Sequence, residues 1–228
     1  MLLPRQEYEA ALAEAKSLGK TLLESDPRYR RVLHEGPRDA LLTVPHGAPG
    51  NDAIAPPVAF ALHEAAGAAG LDVGLVMSVC DRYNVVDMNR PESRATDFRS
   101  AVRREILEKK PKVLIDVHSF PNRYKKYEGI DIALIHTPGV TDESFLKRYA
   151  ALLRLAALSS GKDVRVEVLP QHQPIIHDIV AEARELGMSA DAIMLAEHNE
   201  GGPNGLGNAH LYGRLHAKAL KSLVGVGK

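Results

Sequence analysis

The chain has 228 residues, with 29 Lys and Arg against 29 Asp and Glu, and a single cysteine, Cys80. That balance excludes the basic surplus that nucleic acid or an anionic membrane surface needs, the lone cysteine excludes an internal disulfide, and no run approaches the roughly 20 apolar residues of a bilayer span. With no long Gly/Ser or Pro-rich linker, the length predicts one α/β domain over residues 1–228 acting on a small molecule or short peptide, and a start without a signal-peptide core predicts a cytoplasmic protein.

Residues 6–23 read as an amphipathic helix, apolar near Leu12, Ala15, Leu18 and Leu22, and belong to an N-terminal helical extension (1–38) packed on the domain. A first strand follows at 40–44, then an Ala-rich helix at 57–69 stopped by Gly70, a strand at 71–79, a short extended piece at 85–88, and a helix at 97–110 ended by Pro111. Strands at 112–117 and 130–136 precede a helix at 142–158, with Thr141 or Asp142 as its cap. A strand at 164–169, a helix near 174–186 closed by Gly187, a strand at 192–196 and a last helix near 208–223 complete the chain. Strands separated by helices of this length predict a mostly parallel sheet with helices on both faces.

Three predicted strands run into residues of metal-site chemistry: Val44-Pro45-His46-Gly47, Ile115-Asp116-Val117-His118-Ser119 and Leu195-Ala196-Glu197-His198. A buried strand ending in His or Glu delivers that side chain to the rim of the sheet, where open α/β folds place their sites. Neutral imidazole is the commonest metal ligand, and Gly47 lets the backbone turn so that His46 faces a crevice. Asp116 and His118, two apart on one strand, share a face, so Asp116 can orient a metal-bound imidazole as an outer partner. Charged and titratable groups at a buried strand end are costly unless paired or metal-bound. Asp87-Met88-Asn89-Arg90-Pro91 adds a guanidinium fork beside an amide, suited to a carboxylate; the competing reading is a loop Arg paired with Asp87 or Glu92.

Pro45-His46-Gly47, Val86-Asp87-Met88-Asn89-Arg90-Pro91 and Ile115-Asp116-Val117-His118-Ser119, in this order and with Glu197 beyond them, resemble the N-formylglutamate amidohydrolase family, which is related in fold to the zinc carboxypeptidases. The resemblance spans residues 41–200 and implies a phosphorylase/hydrolase-like α/β fold with one zinc, cleaving an amide of an N-acyl amino acid, N-formyl among them, that carries a carboxylate. It implies His46 and His118 as metal ligands, Asn89 and Arg90 as holders of the substrate carboxylate, and Glu197 as the base that activates the attacking water. A third ligand is expected soon after the first histidine; the nearest carboxylate is Asp52, where the carboxypeptidases have a Glu three residues on and this chain has Pro49. The chain also departs from the family in its shorter length and in its only Gly-Gly, Gly201-Gly202, which follows Glu197.

The developing oxyanion needs a donor besides the metal. Arg82, Arg123, Tyr124 and Tyr127 are candidates, with Arg82 also a candidate for substrate binding. The polar stretch 122–129 reads as a lid or as a solvated loop. His172, His177, His198 and His210, at or past predicted strand ends, stand in reserve for the site, although His198 should face away from Glu197. His34, His63, His136 and His216 read as structural or surface residues, and Cys80 as a small residue at a strand end. Three rival classes stay open. A zinc carboxypeptidase-like peptidase has the same chemistry, a non-haem iron extradiol-type dioxygenase also shows Pro-His-Gly after an early strand, and a metal-free binding module would keep the fold without the reaction.

Overall fold

The computed structural model describes residues 21–23, 38–47, 52–78, 86–121, 127–171, 177–201 and 205–225. In chain order these form β1 (Thr21–Leu23), β2 (Ala40–Val44), α1 (Ala55–Ala68), β3 (Val73–Ser78), a 3-10 turn (Pro91–Ala95), α2 (Asp97–Arg104), β4 (Leu114–Phe120), β5 (Ile132–His136), α3 (Glu143–Leu158), β6 (Val166–Pro170), α4 (Asp178–Glu185), β7 (Ile193–Asn199) and α5 (Gly205–Gly225). The seven strands make one sheet in the order β1-β3-β2-β4-β7-β5-β6. β3, β2, β4 and β7 run parallel, β5 joins β7 antiparallel, and β6 follows β5 in parallel. This is the mostly parallel α/β sheet expected from the alternating pattern.

Two expectations fail locally. Thr21–Leu23, assigned to the N-terminal helix, is a strand paired antiparallel with β3, because a sheet edge offers these backbone groups partners that an isolated amphipathic turn lacks. The rest of that helix lies outside the described residues. Met88 and Asn89, at the end of the expected extended piece, form a turn closed by the Arg90 amide donating to the Asp87 carbonyl at 3.2 Å. Elsewhere the capping logic holds, with Asp142 accepting from the Phe145 amide at the start of α3. Lys110, left-handed at φ 47, ends the π-helical turn Glu105–Lys109 just before Pro111.

The central strands are buried on both faces, which is why β2 and the opening of β4 read as apolar runs. Alternation sends Leu42, Val44, Ile115, Val117 and Met194 to a core under α1, α3 and α5, and Leu41, Leu114 and Ile193 to a second core under α2 and α4. α5 lies close on α1 at Gly213, where a Cβ would come within 2.6 Å of Ala61 Cβ. Gly47 is required by close approach as well as by the turn after β2: its amide donates to the Ser78 carbonyl at 2.9 Å, and a Cβ there would meet that oxygen at 2.5 Å. No helix among the described residues is long and apolar enough to cross a membrane.

Candidate metal centre

Because β2, β4 and β7 are parallel, their carboxyl ends share one rim. Register brings Thr43 opposite Asp116, and His118 opposite Glu197. Paired residues on parallel neighbours project to the same side, so Thr43, Asp116, His118 and Glu197 all belong to the face covered by α2 and α4. His46 reaches the same rim from the turn after β2, and Asp52 from the turn just before α1.

Asp52, six residues after His46 in sequence, sits between the two imidazoles. Its Oδ2 accepts from His118 Nδ1 at 2.9 Å and lies 3.3 Å from His46 Nδ1. The outer nitrogens also meet carboxylates: His46 Nε2 lies 2.7 Å from Asp87 Oδ1, and His118 Nε2 lies 3.1 Å from Asp116 Oδ2. Asp116, fully buried, is itself held by the Thr43 hydroxyl at 2.6 Å. The two imidazole rings stand edge to face, 5.1 Å apart. Each histidine thus turns Nδ1 inward to a shared acid and Nε2 outward to a private one. An imidazole whose outer N–H is held by a carboxylate presents its inner lone pair to a cation, the arrangement that orients histidine ligands.

Three carboxylates around two imidazoles make this rim strongly electronegative. Burial alone would raise the Asp52 carboxyl, but the hydrogen bonds and charges of His118 and His46 hold it far below the ordinary range. Asp87 is likewise held low against its desolvation, chiefly by His46. Burial disfavours the charged form of His118, yet Asp116 and then Asp52 outweigh it and push the imidazole well above its ordinary value.

The donor atoms of His46, Asp52 and His118 all lie within 4.8 Å of one another, as do those of Asp116, His118 and His177. The first set suits zinc: two imidazoles and one carboxylate leave an open coordination position. The second set shares His118, and in it Asp116 is already engaged by Thr43 and His118.

Asn89, expected to hold a substrate carboxylate, is buried, and its Nδ2 donates to His177 Nδ1 at 2.7 Å while its Oδ1 accepts from the Ile179 amide at 3.4 Å. His177 therefore carries its proton on Nε2. Burial first, then the charge on His118, lowers its pKa to about 4. Arg90 ion-pairs with Asp87 at 3.4 Å, as the competing reading of that loop expects, and keeps its side chain 40% exposed. Glu197 accepts a hydrogen bond from the Tyr127 hydroxyl, so Tyr127, one of the oxyanion candidates, is engaged with the expected base. Arg82, Arg123, Tyr124, Cys80 and His172 lie outside the described residues.

Asp87, at the head of the Asp-x-Asn-Arg motif, reads in the sequence only as a counter-ion for Arg90, and in the structure it is also a partner of His46. Glu200 carries no comparable signal in the sequence. It accepts from the Ala53 amide at 2.8 Å and from the Ser119 hydroxyl, tying the start of α1 to the end of β4 and so placing Asp52 beside His118. His198 faces away from Glu197, into the opposite core.

No family model matches the chain, and no curated protein does. Solved structures do. A metallo-carboxypeptidase from Burkholderia cenocepacia aligns over 98% of this chain and 70% of its own, at 12% identity and a TM-score of 0.61. Gene product Atu2144 from Agrobacterium tumefaciens aligns over 82% and 90%, at 18% identity and a TM-score of 0.52. The cell shape determinant protein Csd4 from Helicobacter pylori, solved with bound product, aligns over 91% and 55%, at 10% identity and a TM-score of 0.55. The chain shares the fold of these proteins, including that of a metallo-carboxypeptidase.

Proposed function

We propose that this protein is a zinc-dependent amidohydrolase that cleaves an amide of an N-acyl amino acid bearing a free carboxylate. The observation that carries the reading is the convergence of His46 Nδ1 and His118 Nδ1 on Asp52, with Asp87 and Asp116 behind them. Zinc held by these three residues would supply Lewis-acid polarisation of the amide carbonyl and a water acidified from about 15.7 toward about 7.

The rest of the chemistry falls to the chain itself. Asp116 and Asp87 accept the Nε2 protons of His118 and His46 and so keep both Nδ1 atoms available as donors of a lone pair. Glu197, one strand from His118 and on the same face, takes the proton from the attacking water and returns it to the leaving nitrogen. The Tyr127 hydroxyl orients that carboxylate. Arg90, exchanging its exposed pairing with Asp87 for the substrate, grips the carboxylate through its planar fork. Asn89, committed to His177, shapes this pocket from behind.

A peptidase reading of the same site is favoured by the fold shared with the Burkholderia metallo-carboxypeptidase and with Csd4, which has also been solved with a tripeptide bound. One experiment addresses both. Purified protein should contain about one equivalent of zinc, and a panel of N-acyl amino acids and short peptides, each as free acid and as C-terminal amide, should show turnover of the N-acyl amino acid acids. Turnover of peptides alone selects the peptidase reading. Iron in place of zinc, with oxygen uptake on catechols, selects the dioxygenase. Protein that purifies without metal and hydrolyses nothing after zinc is added overturns the hydrolase reading.

A further inference from the structure

The loop carrying Asn89 and Arg90 and the helix start carrying His177 come from distant parts of the sequence, and one guanidinium joins them. Arg99 of α2 is fully buried and directs its N–H groups to both sides. Its Nη1 donates to the carbonyls of Met88 and Arg90, at 3.3 and 3.4 Å, and to Ser93 Oγ at 3.3 Å. Its Nη2 donates to the Asp178 carbonyl at 3.2 Å, to Asp178 Oδ2 at 2.8 Å and to Glu182, which Nε also reaches at 3.0 Å. The carbonyls it holds flank Asn89, and Asp178 immediately follows His177. Ser93 reinforces the loop side by donating to the same two carbonyls, at 2.9 and 2.7 Å. On the outer side Arg94 forks onto Asp178 at 2.8 Å with both arms.

We propose that Arg99 is a positioning residue that makes the 88–93 loop and the start of α4 a single unit, and thereby sets the direction in which Arg90 presents its guanidinium to a carboxylate. The second half rests on the reading of Arg90 given above; the first does not. A carbonyl accepts hydrogen bonds from any donor, but only a planar, five-donor cation satisfies three carbonyls and two carboxylates from one buried point. Lysine at this position keeps the charge and lacks the fork. Removing the cation altogether would cut the link between the two segments and leave Asp178 to Arg94 and Glu182 to Arg103, each from the outer side.

Amide hydrogen exchange on the full chain tests the coupling without any substrate. Arg99→Lys should accelerate exchange in residues 88–93 and 177–180 together, by about tenfold, while β4 and β7 keep wild-type protection. Ser93→Ala, which leaves the buried charges intact, should accelerate the same two segments by about threefold, and it decides the matter if Arg99→Lys does not fold. Acceleration of one segment alone, or equal acceleration throughout the chain, overturns the proposal. With N-formyl-L-glutamate as probe, Arg99→Lys should raise KM for the free acid more than tenfold with little change in kcat, and should leave KM for the C-terminal amide unchanged. An unchanged KM for the acid overturns the link to Arg90. If the wild-type enzyme does not distinguish acid from amide, the carboxylate reading of Arg90 fails by itself, while exchange still decides whether Arg99 couples the two segments.

Discussion

The protein buries two groups of histidines on opposite faces of one sheet, and they are built in opposite ways. On the rim face, His46 and His118 sit among Asp52, Asp87 and Asp116. On the other face, His198 of β7 meets His216 of α5 beside Tyr149 of α3, with no carboxylate within ion-pairing distance among the described residues. There His198 Nδ1 donates to the His118 carbonyl at 2.9 Å, the two Nε2 atoms lie 3.0 Å apart, and His216 Nδ1 lies 3.1 Å from the Tyr149 hydroxyl. One assignment of protons satisfies that whole chain with neutral rings: His198 protonated on Nδ1, His216 on Nε2, and Tyr149 donating to His216 Nδ1. Burial lowers His198 to about 4 and puts His216 well below its ordinary value, whereas His118, equally buried, is raised. Burial by itself therefore makes a histidine inert. Carboxylates at both nitrogens favour the charged form of the same residue instead.

The sharpest way to break this comparison is to exchange the roles. His118→Ala should abolish stoichiometric zinc and activity together, whereas His216→Gln should leave zinc content at wild-type levels; metal analysis of the two purified variants checks this. Retention of a full equivalent of zinc by His118→Ala would place the metal elsewhere.

The next largest effect concerns Glu197, which shares the rim but is proposed to move a proton and to bind no metal. Glu197→Gln should lower kcat by about 10² to 10⁴ with zinc intact. Loss of zinc instead would make Glu197 a ligand.

Smaller again are the outer carboxylates. Asp87→Asn and Asp116→Asn should each weaken zinc binding by about 10- to 100-fold, measured by competition with a chelating dye, because each leaves one imidazole without its anchor. Equal affinity in both variants and wild type would mean that the histidines need no outer partner.

The smallest effect is on the stability of the zinc-free protein, where the two groups act in opposite directions. The folded pKa of His198 lies near 4 and its unfolded value near 6.5, so as pH falls through this window the unfolded chain takes up protons first. Its contribution is complete above about 6.5 and declines toward about 4. His118 is raised, so its contribution is complete below about 6.5 and is lost as pH rises through the folded value. On acidification down to about 6.5, His118→Ala should lack the gain in urea midpoint that wild type shows, and between about 6.5 and 4 the midpoint should fall less steeply in His216→Gln than in wild type. Parallel curves for the three proteins would remove the electrostatic contrast.

Much of the rim was legible in the sequence because it is local. A strand that runs apolar and then ends in Asp-Val-His or Ala-Glu-His announces where those side chains emerge, and the period of two in a strand separates Glu197 from His198 without any coordinates. Proximity along the chain also pointed to Asp52. The Arg99 clamp is not legible, since its partners on α4 stand 79 and 83 residues away and an Arg in an amphipathic helix normally reads as a solvated one.

The sequence by itself determined the alternation of elements, the mostly parallel sheet and the residues delivered to its carboxyl rim, because hydrophobic periodicity and strand ends are properties of neighbouring residues. Tertiary structure alone decided the electrostatic setting of each histidine. Only strand register and the return of the chain across the sheet bring Asp87 to His46, commit Asn89 to His177, and carry His198 away to Tyr149. Which nitrogen meets a carboxylate, and hence which imidazole can give up a proton for a metal, depends on a few ångströms between segments that the linear order keeps far apart.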